Sequence, residues 1–160
     1  MTTITYANKQ DKKEILALYR SMIGTDGCTW TMDYPNEQHI DMDIESENLF
    51  LIRDDDNEII ATLSIDQDKE VDALPNWTIP GKSAELARIA VRKDYQGQGI
   101  ARELITTILE FLPSRGYKSA HYLVSETNNK AIASYKKLNF KSCGTSDLYG
   151  EHWLCFEKEI

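Results

Sequence analysis

The stretch from Val91 to Ala101 constrains this 160-residue chain more than any other. It closes an apolar segment (Leu86, Ala87, Ile89, Ala90, Val91), turns through Gly97 and Gly99, and opens an amphipathic one carrying Ile100, Ala101, Leu104, Ile105, Ile108, Leu109 and Leu112. The implied order is strand, glycine turn, helix. A loop of this kind aims successive backbone N–H groups, and the positive end of a helix dipole, at one point, which suits a phosphate.

The bulk properties narrow the setting. A chain this long can bury roughly 70% of its unfolded surface, so one domain over residues 1–160 needs no disulfide or metal staple. Lys and Arg number 18 against 26 Asp and Glu, a formal charge of −8. No basic footprint for a phosphate backbone is present, which excludes nucleic acid as a partner. Cys28, Cys143 and Cys155 are odd in number and form no Cys-x-x-Cys pair, so they read as free thiols of a reducing compartment. No apolar run has the length of a membrane span, and the first residues lack the blocks of a signal peptide. A cytoplasmic protein with no membrane partner is expected.

Taken in order, Ile4 and Tyr6 alternate with Thr3 and Thr5 as a short first strand. Asn8 offers a cap, with Asp11 three residues on, to a helix burying Ile15, Leu16, Tyr19, Met22 and Ile23. Pro35 and Asn36 start a second helix running to about Glu47. Leu49 to Arg53 and Ile59 to Asp66 read as strands around the acidic turn Asp54 to Glu58, which lacks the ligand spacing and glycine of a calcium loop. Gln67 to Ser83, broken by Pro75, Pro80 and Gly81, reads as a loop. Ala84 to Val91 is the central strand, and the helix from about Gly99 ends by Leu112, before Pro113 and Gly116. A strand from Lys118 to Val124, a helix from about Asn128 to Leu138 and a closing hairpin (Lys141 to Leu148, His152 to Glu157) complete the chain. Strands alternating with helices and ending in a hairpin imply an α/β sheet, partly parallel at its centre and antiparallel at its ends.

Two glycines at a helix start are weak evidence alone. A dinucleotide loop would need its third glycine where Arg102 stands, and no Gly-Lys-Ser/Thr of a triphosphate loop is present. The run Gln96-Gly97-Gln98-Gly99-Ile100-Ala101, however, is similar at every constrained position to the Gln/Arg-x-x-Gly-x-Gly/Ala signature of the GCN5-related N-acetyltransferase (GNAT) family. The downstream run Asn128 to Phe140 resembles that family's second signature, Asn-x-x-Ala-x-x-x-Tyr, with Asn139 in place of the usual glycine before Phe140. The order of elements also fits, so the resemblance covers essentially the whole chain. It implies a single α/β domain with a mixed sheet of about six to seven strands, splayed at the central strands and flanked by about four helices.

The resemblance further implies a site. Acetyl-CoA would lie along the central strand, its pantetheine arm paired with backbone of Ile89, Ala90 and Val91. Its pyrophosphate would sit on Gln96, Gly97, Gln98, Gly99, Ile100 and Ala101, with Arg102, Lys93 and Arg92 as nearby cations and Asn128 on the donor arm. An N–H near Ile89 would polarise the thioester carbonyl. Tyr135 occupies the family's position for the general acid that protonates the leaving thiolate, although its spacing from Ala131 and Leu138 equally suits a core aromatic. Glu85 is the first choice of general base, with His121 and His152 as alternatives; an exposed strand position or a pairing with Arg88 competes for Glu85. Trp30, Tyr34, Trp77 and Tyr149 could line an amine site through cation–π contact, or simply pack loops. No metal is called for. The acceptor, a small-molecule or peptide amine, is not written in the sequence, and a homodimer is allowed for. The expected activity is direct acetyl transfer from acetyl-CoA to a primary amine. The rival is a catalytically silent CoA-binding sensor or scaffold.

Overall fold

The computed structural model describes residues 3–160; Met1 and Thr2, part of the N-terminal stretch read above for a signal peptide, lie outside them. Its strands are β1 (Ile4–Tyr6), β2 (Leu49–Arg53), β3 (Ile59–Asp66), β4 (Ser83–Val91), β5 (Ser119–Ser125), β6 (Lys141–Leu148) and β7 (Glu151–Glu159). Its α-helices are α1 (Lys12–Met22), α2 (Glu37–Glu45), α3 (Lys69–Asp72), α4 (Ile100–Phe111) and α5 (Asn129–Lys137). Among the described residues the seven strands form one mixed sheet in the order β1-β2-β3-β4-β5-β7-β6. The chain divides into two compact units, and β4 contributes its residues up to Ala87 to one and those from Arg88 to the other.

The first unit (3–25, 29–65 and 88–105) is built on the antiparallel set β1-β2-β3, in which Tyr6 pairs with Phe50 and Phe50 with Leu63. Nearly every residue of β2 and β3 is buried, and β2 is apolar up to Arg53 while β3 also buries Thr62 and Ser64. Helix α1 buries Ile15, Leu16, Leu18, Tyr19 and Met22 along one face. Its entry is fixed as expected: the Asn8 side chain caps the turn from Lys9 to Asp11, and Asp11 reaches back to the Asn8 N–H at 2.9 Å. Asn36 caps α2 in the same manner, with His39 Nδ1 accepting the Asn36 N–H at 3.1 Å. The acidic turn closes on itself, since Asp54 Oδ1 accepts the N–H groups of Asp56 at 3.0 Å and Glu58 at 2.9 Å.

The second unit (26–28, 66–87 and 106–160) carries the parallel pair β4–β5 and the antiparallel pairs β5–β7 and β7–β6. The β4–β5 register runs only from Ser83↔Ser119 to Glu85↔His121, whereas β5 and β7 stay paired along all of β5, to Ser125↔Trp153. Alternation along β5 gives this part of the sheet two unlike faces. Tyr122 faces Tyr135, Phe140 and Phe156 on the side of α5. His121 and its register partner Glu157 face the segment from Asp66 to Pro80.

That segment is where the expected loop gives way to structure. Asp68 accepts the N–H groups of Glu70 and Val71 and so caps the one-turn helix α3, which buries Val71. Trp77 donates its indole N–H to Val71 O at 2.8 Å. The Glu157 carboxylate, 2% exposed, accepts from the Thr78 and Ile79 N–H groups and from the Thr78 hydroxyl. Asn76 bridges the carbonyls of Cys143 and Thr145 at 2.8 and 3.0 Å. The prolines stop regular structure, but these side-chain bonds replace it.

Candidate active site

The glycine loop lies in the first unit. After β4 the chain makes a 3-10 turn from Lys93 to Tyr95, then passes through Gly97 and Gly99, both at φ +79°. Side chains with a Cβ adopt this left-handed conformation at a cost of roughly 1–2 kcal/mol, so the turn selects glycine twice. Helix α4 follows at once, its first bond running from the Glu103 N–H to Gly99 O at 3.0 Å. By helix geometry, the N–H groups ahead of Glu103 have no partner within the helix and point out of its N-terminus. The loop is largely exposed, and a Cβ on Gly97 would meet open space.

The side chains around the loop have distinct engagements. Gln96 donates its amide to Val91 O at 2.9 Å, and Gln98 donates to Asp94 O at 3.4 Å. Arg92 is held by Asp94 at 2.7 and 3.0 Å and by Glu58 at 2.8 Å, with Asp54 at 3.5 Å. It is therefore committed to carboxylates. Arg102 and Lys93 are exposed beside the loop.

Upstream, β4 carries a left-handed backbone position that the sequence did not reveal. Arg88 sits at φ +49° and is buried together with Glu85 and Ala90, while Ile89 and Val91 are half-buried. In the first unit the Arg88 Nε and a terminal nitrogen each meet Asp43 at 2.9 Å. Ser64 donates to the same carboxylate at 2.7 Å, and Arg88 also reaches Tyr34 Oη at 3.2 Å. Arg88 forms a salt bridge with Asp43. Trp30 packs edge-on to Tyr19 with centroids 5.4 Å apart, a loop-packing contact, and Tyr34 packs edge-on to His39 at 4.8 Å.

In the second unit, Tyr135 comes from α5 and is 5% exposed. Its ring lies 3.5 Å from that of Tyr122 and 5.5 Å from that of Phe140. Burial raises the pKa of its phenol well above the ordinary value, so it stays protonated throughout the neutral range. Asn128 caps α5 by accepting the Ala131 N–H at 3.2 Å. Core packing and a family motif position therefore coincide in Tyr135, as capping and a motif position do in Asn128.

The opposite face of the same strands is polar. Glu85, 7% exposed, pairs in register with His121 at the last position of the parallel ladder. His121 Nδ1 lies 2.6 Å from Ser83 Oγ, its Nε2 lies 2.9 Å from Asp72 Oδ1, and its ring is 4.6 Å from Trp77. Burial lowers the imidazole pKa despite the Asp72 charge, so the ring is neutral at neutral pH; burial raises that of Asp72. One ligand atom from each of Asp72, Glu85 and His121 lies within 4.8 Å of the others, and the same holds for Asp66, Asp68 and Glu85. Such spacing could accommodate a cation. Tyr149 is exposed and donates its hydroxyl to Asp68 at 2.7 Å. His152 lies out on the hairpin, 2.7 Å from Asp147, which raises its pKa.

The sequence reading thus named Glu85, Trp77, Tyr149 and His121 separately, and the second unit gathers them around the 66–80 segment. It missed Ser83, Asp72 and Asp43. The signal for Ser83 was its position two residues before Glu85, on the same face of the strand. Asp43 and Asp72 gave no local signal.

A seven-stranded mixed sheet of this order has counterparts among solved structures. A GNAT-family acetyltransferase from Streptococcus agalactiae superimposes with a TM-score of 0.81 at 21% identity, covering 99% of this chain and 95% of that one. The Salmonella typhimurium protein yncA, solved with its cofactor acetyl-CoA, gives a TM-score of 0.75 at 14% identity over 99% and 94% of the two chains. The fold is therefore that of acetyltransferases. The model of the Acetyltransferase (GNAT) family matches residues 15–140, and the chain belongs to that family. Human N-acetyltransferase 8B is 29% identical over 104 residues, a match spanning 64% of this chain and 42% of that protein. Among the described residues no helix is long and apolar enough to cross a membrane.

Proposed function

We propose that residues 1–160 form one acyl-CoA-binding domain that transfers an acetyl group from acetyl-CoA to a primary amine. The observation that carries this reading is the loop itself: two left-handed glycines in the family signature, delivering backbone N–H groups and a helix N-terminus to one place. Gln96, Gly97, Gln98, Gly99, Ile100 and Ala101 bind the pyrophosphate, with Arg102 and Lys93 rather than the engaged Arg92 adding charge. Backbone of Ile89, Ala90 and Val91 receives the pantetheine arm.

Acetyl-CoA, when bound, supplies a thioester activated toward attack. On the protein side, Glu85 accepts the proton that the acceptor amine loses as its nitrogen bonds to the carbonyl carbon. An N–H near Ile89 stabilises charge on the carbonyl oxygen. Tyr135, kept protonated by burial, donates to the sulfur as the carbon–sulfur bond breaks. Trp77 and Tyr149, beside the carboxylates of the 66–80 segment, suit a cationic amine, and Trp30 and Tyr34 remain further acceptor contacts. The acceptor is a small-molecule or peptide amine, and three free thiols accord with a cytoplasmic location.

A second reading, a silent CoA-binding module, draws on one observation: the Tyr135 ring is buried against Tyr122. Calorimetric titration with acetyl-CoA, CoA and NAD tests the donor side shared by both readings. Saturable binding of the two CoA species and none of NAD is expected. Absence of binding by either CoA species overturns both.

A further inference from the structure

We propose that His121 is a proton relay that carries the acceptor amine's proton from Glu85 to the protein surface through Asp72. This rests on the acetyltransferase reading and adds a route by which Glu85 is reset. A buried carboxylate that takes a proton at each turnover must pass it on before it can act again, and Glu85 is only 7% exposed.

The geometry supplies the path. Glu85 and His121 are register partners on adjacent parallel strands, so their side chains leave the sheet on one face. Ser83, two residues before Glu85, shares that face and holds Nδ1 of the ring at 2.6 Å. On the other side of the ring, Nε2 meets Asp72 Oδ1 at 2.9 Å. The carboxylates of Glu85 and Asp72 each place an oxygen within 4.8 Å of a His121 nitrogen. One water spans such a gap with ordinary hydrogen bonds. The far end of the chain is wet: the Asp72 side chain is 45% exposed, against 2% for His121. An interior carboxylate, a buried imidazole and a surface carboxylate therefore form a graded series from inside to outside.

The proton balance is simple. The amine nitrogen loses one proton to a Glu85 oxygen. That proton passes through the bridging water to a ring nitrogen of His121, the ring gives one proton to Asp72, and Asp72 releases one proton to solvent, which returns the ring to its neutral form. No other bond changes. The Ser83 hydroxyl can donate or accept, so either tautomer of the ring keeps a partner on Nδ1. The groups facing the ring are Asp72 from α3, Trp77 from the segment after it, Ser83 and Glu85 from β4 and Glu157 from β7. Glu157 is occupied by Thr78 and Ile79 and closes the cluster on the β7 side. His121 acts through Glu85 and does not itself touch the acceptor.

The test compares wild type with His121→Gln, which keeps hydrogen-bonding capacity without titrating, and with Asp72→Asn. Once an amine that the wild type acetylates is in hand, kcat should fall roughly ten- to hundredfold in His121→Gln, within the range of single acid–base groups. KM for acetyl-CoA should stay within about twofold, and the acidic limb of the kcat profile should be displaced. A wild-type kcat and pH profile in folded His121→Gln overturns the relay. A second measurement needs no turnover: the His121 ring is titrated by nuclear magnetic resonance in wild type, Glu85→Gln and Asp72→Asn. A midpoint that moves in both variants supports the coupling, and one that Glu85→Gln leaves unmoved overturns it. A wild type that acetylates no amine would count against the acetyltransferase reading, with the ring titration still deciding the coupling.

Discussion

Arg88 grips both carboxylate oxygens of Asp43 at 2.9 Å from a strand position whose φ is +49°. Side chains of Arg88 and Asp43 are 1% and 7% exposed, so this is a buried bidentate pair, and it stands on the strand that also carries Glu85 and Ile89. Removing one partner leaves an unpaired charge in a dry place. Asp43→Ala should therefore destabilise the protein by about 3–5 kcal/mol. Denaturant unfolding followed by circular dichroism measures it. A loss below about 1 kcal/mol would mean that the fold does not depend on the pair.

The glycine loop makes a cleaner case for binding than for stability. Gly97 has open space where a Cβ would go but a φ of +79°. Gly97→Ala should cost roughly 1–2 kcal/mol in backbone strain. It should weaken acetyl-CoA more than it weakens the fold, because relief of the strain moves N–H groups away from the proposed phosphate position. Calorimetry beside thermal unfolding separates the two effects. An unchanged dissociation constant in the variant would remove Gly97 from the donor site.

Much of this arrangement was legible in the sequence where local chemistry decides it. Leu104, Ile105, Ile108 and Leu109 fix α4 by periodicity, Asn8 announces its cap, Pro35 and Asn36 announce the start of α2, and the two glycines announce a turn before α4. Long-range pairings were not legible. Arg88 meets Asp43, tens of residues earlier, and Ser64 shares that carboxylate. Helix α3 forms in a stretch rich in proline because Asp68 caps it, while Glu157 and Asn76 tie down the residues between α3 and β4. His121 looked like any lone histidine, because Ser83 and Asp72 meet it only once β4, β5 and α3 are assembled. The central strand also begins one residue earlier than its apolar pattern, at Ser83.

Glu157 gives the pH dependence its sign. Burial raises the pKa of its carboxyl, yet the hydrogen bonds from Thr78, Cys143 and Ile79 outweigh burial and hold it below the ordinary value of 4.5. The unfolded chain therefore takes up a proton at higher pH than the folded one. The stabilisation is fully present above about pH 4.5 and is lost as pH falls through the folded value. Glu157→Gln should flatten the stability profile on the acid side of 4.5 and lower stability at neutral pH by roughly 1.5–3 kcal/mol, the scale of hydrogen bonds to a charged group. Urea unfolding from pH 3 to 7 checks it. An unaltered acid slope would assign the dependence to other carboxylates.

Tyr135 separates packing from chemistry. Tyr135→Phe keeps the ring against Tyr122 and Phe140 and removes only the hydroxyl. Stability should change by less than about 1 kcal/mol, whereas kcat should drop on the order of 10²-fold if the hydroxyl protonates the thiolate. Turnover unchanged across the pH range would leave Tyr135 as a core residue only.

Amine-dependent thiol release is the most direct measurement of all. Acetyl-CoA and the wild-type protein are incubated with a panel of polyamines, aminoglycosides, amino acids and peptide N-termini, and free CoA thiol is followed together with the mass of the acceptor. Saturable CoA release with an acceptor heavier by one acetyl group, lost in Glu85→Gln, is the predicted result. Acetyl-CoA binding without thiol release for any amine would contradict the enzyme reading and leave a CoA-binding module.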